Sequence, residues 1–132
     1  MCGIAGWFST VTGEFGQREI LLRKGDASAH RGPYGEGVAS LGHANLAHRR
    51  LSILDVENGA QPMFDSESRC AIVFNGEIYN FRSLRKDLQN SGIQFKTNCD
   101  TEVILQLYLV EGVAAFAKLR GIDRKSTRLN SS

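Results

Sequence analysis

The chain opens on an apolar, β-prone run, GIAGWF at 3–8, which predicts a buried first strand directly behind two residues. The cluster Ile20, Leu21 and Leu22 predicts a helix over 17–29, in which Gly25 costs about 1 kcal/mol relative to alanine. A Gly-rich turn at 32–37 leads into short strand candidates at 37–41, 43–47 and 50–54, a rhythm that suggests antiparallel hairpins. CAIVFN at 70–75 reads as the strongest strand, and it ends on Asn75-Gly76, a turn signal. Leu84 and Leu88, four apart, predict a helix over 81–91 with Gly92 as its stop. Asp100 or Thr101 caps a second helix at 101–110, with Val103, Ile104, Leu107 and Tyr108 on one face and 112–119 as a third helix. Residues 121–132 are polar, lack apolar periodicity and read as unstructured.

Length and composition narrow the classes. At 132 residues the chain is one domain of ordinary size. Hydrophobic residues make up 42%, yet no apolar run reaches the ~18 residues of a membrane span, and no basic start precedes an apolar leader. The net charge of +2 sits in 121–132, where Arg124, Lys125 and Arg128 face only Asp123. The remainder is balanced, which removes an electrostatic case for nucleic acid or an anionic membrane as partner. Three cysteines, Cys2, Cys70 and Cys99, without CxxC or zinc spacing argue for reduced thiols in the cytoplasm. His30, His43 and His48 show no metal spacing.

The sharpest chemical feature is Cys2 behind Met1. If the initiator Met is trimmed, one residue supplies both a thiol and a free α-amine, whose reference pKa of about 7.7–8.0 leaves part of it unprotonated at neutral pH. Alone, a Cys at position 2 is in most chains a bystander of the start. Cys70, in an apolar strand, and Cys99, before Asp100, read as inert thiols.

MCGIAGWF resembles the N-terminus of class II glutamine amidotransferases, N-terminal-nucleophile hydrolases that release ammonia from glutamine. The resemblance recurs in order at HRGP (30–33), AHRRLSILD (47–55), GAQPM (59–63), VFNGEIYN (73–80) and DTEVIL (100–105). Together these motifs look most like the glutaminase domain of glutamine-hydrolysing asparagine synthetases. The resemblance implies an α+β fold, an incomplete αββα sandwich with mostly antiparallel sheets, over residues 2–120. It implies Cys2 as nucleophile and Asn75 with Gly76 as oxyanion donors, a side-chain amide and a backbone N–H from adjacent positions. Arg50 matches the cation that forks onto the substrate α-carboxylate, and Asp100, helped by Glu77, the anion that holds the α-ammonium. Leu51 and Ile53 would line the pocket. Taken singly, Asn75-Gly76 is also a plain turn, Arg50 a surface charge and Asp100 a helix cap. L-glutamine is the implied partner, with no metal or organic cofactor for its hydrolysis; ATP and magnesium belong to a synthetase domain outside this chain. The oligomeric state is not legible. The rival reading is a catalytically silent remnant that binds glutamine weakly or not at all, or the glutaminase part of another amidotransferase.

Three departures stand out. Tyr34 occupies the place of the family's Asp after HRGP, and Gly25 falls where the helix would present an apolar core residue. Beyond Gly121 the family continues into further core strands, whereas IDRKSTRLNSS resembles the translation of a sequencing adapter, with a natural polar tail as the alternative. Sheets missing strands would leave open edges, so the chain alone is expected to be unstable and to hydrolyse glutamine negligibly.

Overall fold

The computed structural model describes residues 3–8, 35–50, 59–123 and 127–130. Among these, β1 (Gly3–Phe8), β2 (Gly35–Leu41) and β3 (Ala44–Arg50) form one antiparallel sheet in the order β1-β3-β2. The predicted hairpin at 37–47 is therefore present. The predicted strand at 50–54 survives only as Arg50, the end of β3; 51–54 lie outside the described residues, as do the helix at 17–29 and Tyr34. β1 is less buried than its apolar run suggests. It sits at the sheet edge, and Phe8 is exposed, while the buried centre is β3, whose Ala44–His48 run is buried throughout.

β4 (Met63–Phe64) and β5 (Cys70–Val73) begin a second sheet. β5 is apolar at every position for a structural reason. Ala71 and Val73 pack on Ala39 and Leu46 of the first sheet, while Ile72 and Phe74 pack on the opposite side with Ile104. A strand covered on both faces needs an unbroken apolar run rather than alternation.

The helices cover that second face. α1 (Phe81–Asn90) buries Leu84 and Leu88 against Val103, Leu107 and Ala115. It ends as predicted at Gly92: the Ile93 N–H donates to Leu88 O, the Gly92 N–H donates to Gln89 O, and Gly92 takes φ 91°, a left-handed value glycine reaches without strain. α2 (Asp100–Glu111) is buried more widely than the single predicted face, since Thr101, Glu102 and Leu105 join Val103, Ile104 and Leu107 in the interior. The third predicted helix is a 3₁₀ segment, Gly112–Lys118.

Two departures concern β5 and the chain beyond it. Asn75-Gly76 makes no hairpin: the strand stops at Val73, and Gly76 opens β6 (Gly76–Ile78), which belongs to a different sheet. The reading of 121–132 as unstructured also fails in part, because β7 (Gly121–Asp123) pairs with β6 and β8 (Thr127–Asn130) pairs with β5. Main-chain groups on an open sheet edge pair with any extended backbone, so side-chain periodicity gives no warning of such strands. Asn80 reinforces the β6 connection: its side-chain amide donates to Lys118 O at 2.8 Å, and its Oδ1 accepts the Arg120 N–H at 2.9 Å. The architecture is thus mixed helix and antiparallel sheet.

Candidate functional site

The segment Asn75–Glu77 hangs between two buried anchors. Phe74 before it and Ile78 after it are 5% and 3% exposed and share one apolar cluster with Ile104. Asn75 is half-buried, and Gly76 and Glu77 are exposed. The flanking amides are each fixed by a side chain from elsewhere in the chain. The Phe74 N–H donates to Gln61 Oε1 at 2.6 Å, and the Ile78 N–H donates to Asp100 Oδ2 at 3.0 Å. Asn75, Gly76 and Glu77 are thereby carried on a backbone held at both ends.

Asp100 comes from the first turn of α2, where a carboxylate also complements the helix dipole. It does not cap the helix as predicted, nor does Thr101. Cys99 occupies the N-cap position and makes no side-chain cap bond, and Asp100 spends its Oδ2 on β6. The amide of Cys99 is served instead by Thr97 Oγ1 at 3.3 Å. The Thr97 hydroxyl in turn donates to Glu102 Oε2 at 2.6 Å, and the Thr97 and Lys96 amides donate to the same carboxylate at 2.6 and 2.8 Å. Glu102, only 4% exposed, therefore organises the loop that delivers Asp100.

Of the predicted site residues, the fold brings together Asn75, Gly76, Glu77 and Asp100, since the Ile78–Asp100 bond sits one residue beyond Glu77. Arg50 is the last residue of β3, its backbone paired with Gly35. Cys2, Leu51 and Ile53 lie outside the described residues. Gly3, the residue after Cys2, pairs with Arg49, the residue before Arg50. Sequence reasoning assigned nothing to Gln61 or Glu102 and only a helix cap to Thr101, although all three stand inside the motifs GAQPM and DTEVIL. A polar residue embedded in such a motif beside apolar positions was the available signal.

Among the other thiols, burial pushes Cys70 above its ordinary pKa, with Asp65 adding to the rise and Arg69 opposing it. That keeps it a thiol, the weaker nucleophile, at neutral pH. Among the described residues no group of three His, Cys, Asp or Glu side chains could hold a metal ion, and no helix is long and apolar enough to cross a membrane.

Comparison with known proteins matches residues 1–123 to the glutamine amidotransferase domain family, so the match runs through β7. The chain is 40% identical over 124 residues to asparagine synthetase [glutamine-hydrolyzing] 1 of Bacillus subtilis, covering 92% of this chain and 20% of that protein. It is 39% identical over 122 residues to asparagine synthetase B [glutamine-hydrolyzing] of Escherichia coli, covering 92% and 22%. With asparagine synthetase [glutamine-hydrolyzing] 3 of Arabidopsis thaliana it shares 34% over 133 residues, covering 94% and 23%. The chain thus spans about a fifth of the length of these relatives. A family match along residues 1–123, nearly the whole chain, makes this chain a member of the glutamine amidotransferase domain family.

Proposed function

We propose that this domain hydrolyses the side-chain amide of L-glutamine to glutamate and ammonia, with Cys2 as nucleophile once Met1 is removed. The sulfur of Cys2 bonds to the amide carbon while its proton passes through a water to the α-amine of the same residue. The Asn75 side-chain amide and the Gly76 N–H hold the oxyanion. As the intermediate collapses, the C–N bond breaks, the α-ammonium returns the proton to the departing nitrogen, and ammonia leaves a thioester. A water then adds to the thioester carbonyl and gives its proton to the α-amine; the C–S bond breaks, releasing glutamate and restoring the thiol. Arg50 pairs with the substrate α-carboxylate, Asp100 with Glu77 takes the α-ammonium, and Leu51 and Ile53 line the pocket. No cofactor takes part in these steps.

The observation that carries this reading is the 3.0 Å bond from the Ile78 N–H to Asp100 Oδ2. It brings the segment carrying the two proposed oxyanion donors beside Asp100, the proposed ammonium partner, from which it is remote in sequence. Members of this family built like the asparagine synthetases would pass the ammonia to asparagine formation at an ATP- and magnesium-dependent domain, in the cytoplasm. The partial glutaminase domain is proposed to span residues 2–120, and its fold to be an incomplete αββα sandwich. The test is covalent: incubate the chain with a diazo-ketone analogue of glutamine and map the adduct. Modification at Cys2 is expected, while modification confined to Cys70 or Cys99 overturns the proposal.

A further inference from the structure

Gln61 belongs to none of the roles above, yet it touches three parts of the fold at once. Its main chain is pressed against β2: a Cβ at Gly37 would collide with the Gln61 carbonyl, and would lie 2.8 Å from both the Gln61 carbonyl carbon and Pro62 Cδ. Only glycine permits that approach. The Gln61 side chain then bridges outward. Its Oε1 accepts the Phe74 N–H at 2.6 Å, and its Nε2 donates to Thr101 Oγ1 at 3.3 Å. Thr101 is buried, and it adjoins Asp100.

We propose that Gln61 is a positioning residue, seated by Gly37, whose side-chain amide sets the distance between the Val73–Phe74 peptide, one residue before Asn75, and the first turn of α2. The choice of an amide is chemically specific. One end must accept from a backbone N–H and the other must reach a hydroxyl, and a planar carboxamide does both from a fixed geometry. The Phe74 N–H lies one residue before Asn75, and Thr101 lies one residue after Asp100. A change in the Gln61 bridge therefore moves the oxyanion donors relative to the ammonium acceptor without touching substrate. The assignment rests on the glutaminase reading for its kinetic consequence, and on hydrogen bonding alone for its structural one.

The test compares Gln61→Leu, which fills the space and removes both bonds, with Gln61→Glu, which keeps an acceptor for Phe74 and accepts from the Thr101 hydroxyl. Thr101→Val cuts the second bond alone and guards against a Gln61→Leu chain that does not fold. Amide exchange by NMR is expected to quicken at Phe74 about tenfold in Gln61→Leu, with Leu46 in β3 unchanged, and to recover in Gln61→Glu. The Asn75, Gly76 and Ile78 resonances should shift in Gln61→Leu and, less, in Thr101→Val. In glutamine hydrolysis, kcat should fall roughly 10–100-fold in Gln61→Leu with KM changed less than about threefold, and Gln61→Glu should restore most of it. Unaltered Phe74 exchange, or faster exchange with unmoved Asn75 and Gly76 resonances, overturns the proposal. A wild-type chain too unstable to hydrolyse glutamine removes the kinetic readout alone, and the exchange measurement then decides the role of Gln61 by itself.

Discussion

Removing the buried carboxylate of Glu102 should be among the most damaging single changes outside the apolar core. The side chain is 4% exposed and receives three hydrogen bonds, from the Lys96 and Thr97 amides and the Thr97 hydroxyl. Hydrogen bonds to a charged group contribute about 1.5–3 kcal/mol each, but Lys96 is exposed and Thr97 half-buried, so water can replace part of what is lost. Counting two bonds at the low end, plus about 1 kcal/mol for the buried methylenes, Glu102→Ala should cost about 4 kcal/mol. Glu102→Gln keeps one oxygen and the shape, turns an amide toward one of the donors, and should cost about 1–2 kcal/mol. Against a typical domain stability of ~5–15 kcal/mol the first loss is severe and the second tolerable.

The assay is urea unfolding of the three chains, read by far-UV circular dichroism, with amide exchange at Thr97 as the local reporter. Exchange at Thr97 should quicken in both variants and unfolding midpoints should fall in the order wild type, Gln, Ala. The reasoning is refuted if both variants unfold within about 0.5 kcal/mol of wild type, the range of an ordinary surface substitution. A loss equal in the two variants would also refute it, since only the alanine discards both oxygens.

Asn75→Ala should lower the turnover of glutamine by roughly 10²–10³ relative to wild type while leaving its binding largely intact, as measured by kcat beside isothermal titration. Arg50→Ala should chiefly raise KM, because the charge it meets is the same in ground and transition states, whereas Asp100→Ala, which also removes the partner of the Ile78 N–H, should raise KM and lower kcat together; a pure kcat effect in Arg50→Ala would reverse that division of labour. Cys70 should react slowly with iodoacetamide at neutral pH, and its rate should climb as pH rises toward its elevated pKa; peptide mapping after timed alkylation across a pH series measures it. Gly37→Ala should cost about 1–3 kcal/mol in the same urea assay, since its Cβ meets main chain rather than a side-chain tip that can swing aside.

How far the fold could be read in advance depends on the kind of force involved. α1, with Leu84 and Leu88 inward and Gly92 at its end, announces itself because spacing and stop signal are local. β5 is equally legible, since its unbroken apolar run answers to burial on both faces. β7 and β8 are not, because backbone pairing on the edges of β6 and β5 asks nothing of side chains. Asn75-Gly76 misled for a related reason. The dipeptide suits a tight reversal, but Phe74 and Ile78 are both drawn into the cluster around Ile104, which stretches the chain across from one sheet to another.

The site was legible as a set of residue types and illegible as a set of restraints. Asn75, Gly76, Glu77 and Asp100 could be singled out because VFNGEIYN and DTEVIL resemble family motifs, whose implied roles of oxyanion donor and ammonium partner suit those residue types. Nothing local, however, tells that Asp100 spends one oxygen on Ile78 or that Glu102 turns away from its own helix toward Thr97. Such bonds join segments through the buried backbone, where an unpartnered N–H is costly and a polar side chain is kept because it satisfies one. A polar residue inside a motif that has no evident chemical task is then best read as the partner of a buried amide. Gln61 between Gly37, Phe74 and Thr101 fits that description: it joins GAQPM to VFNGEIYN through the Phe74 N–H and to DTEVIL through the Thr101 hydroxyl, and on the proposed reading the use of Asn75 and Gly76 as donors depends on the separation those bonds set.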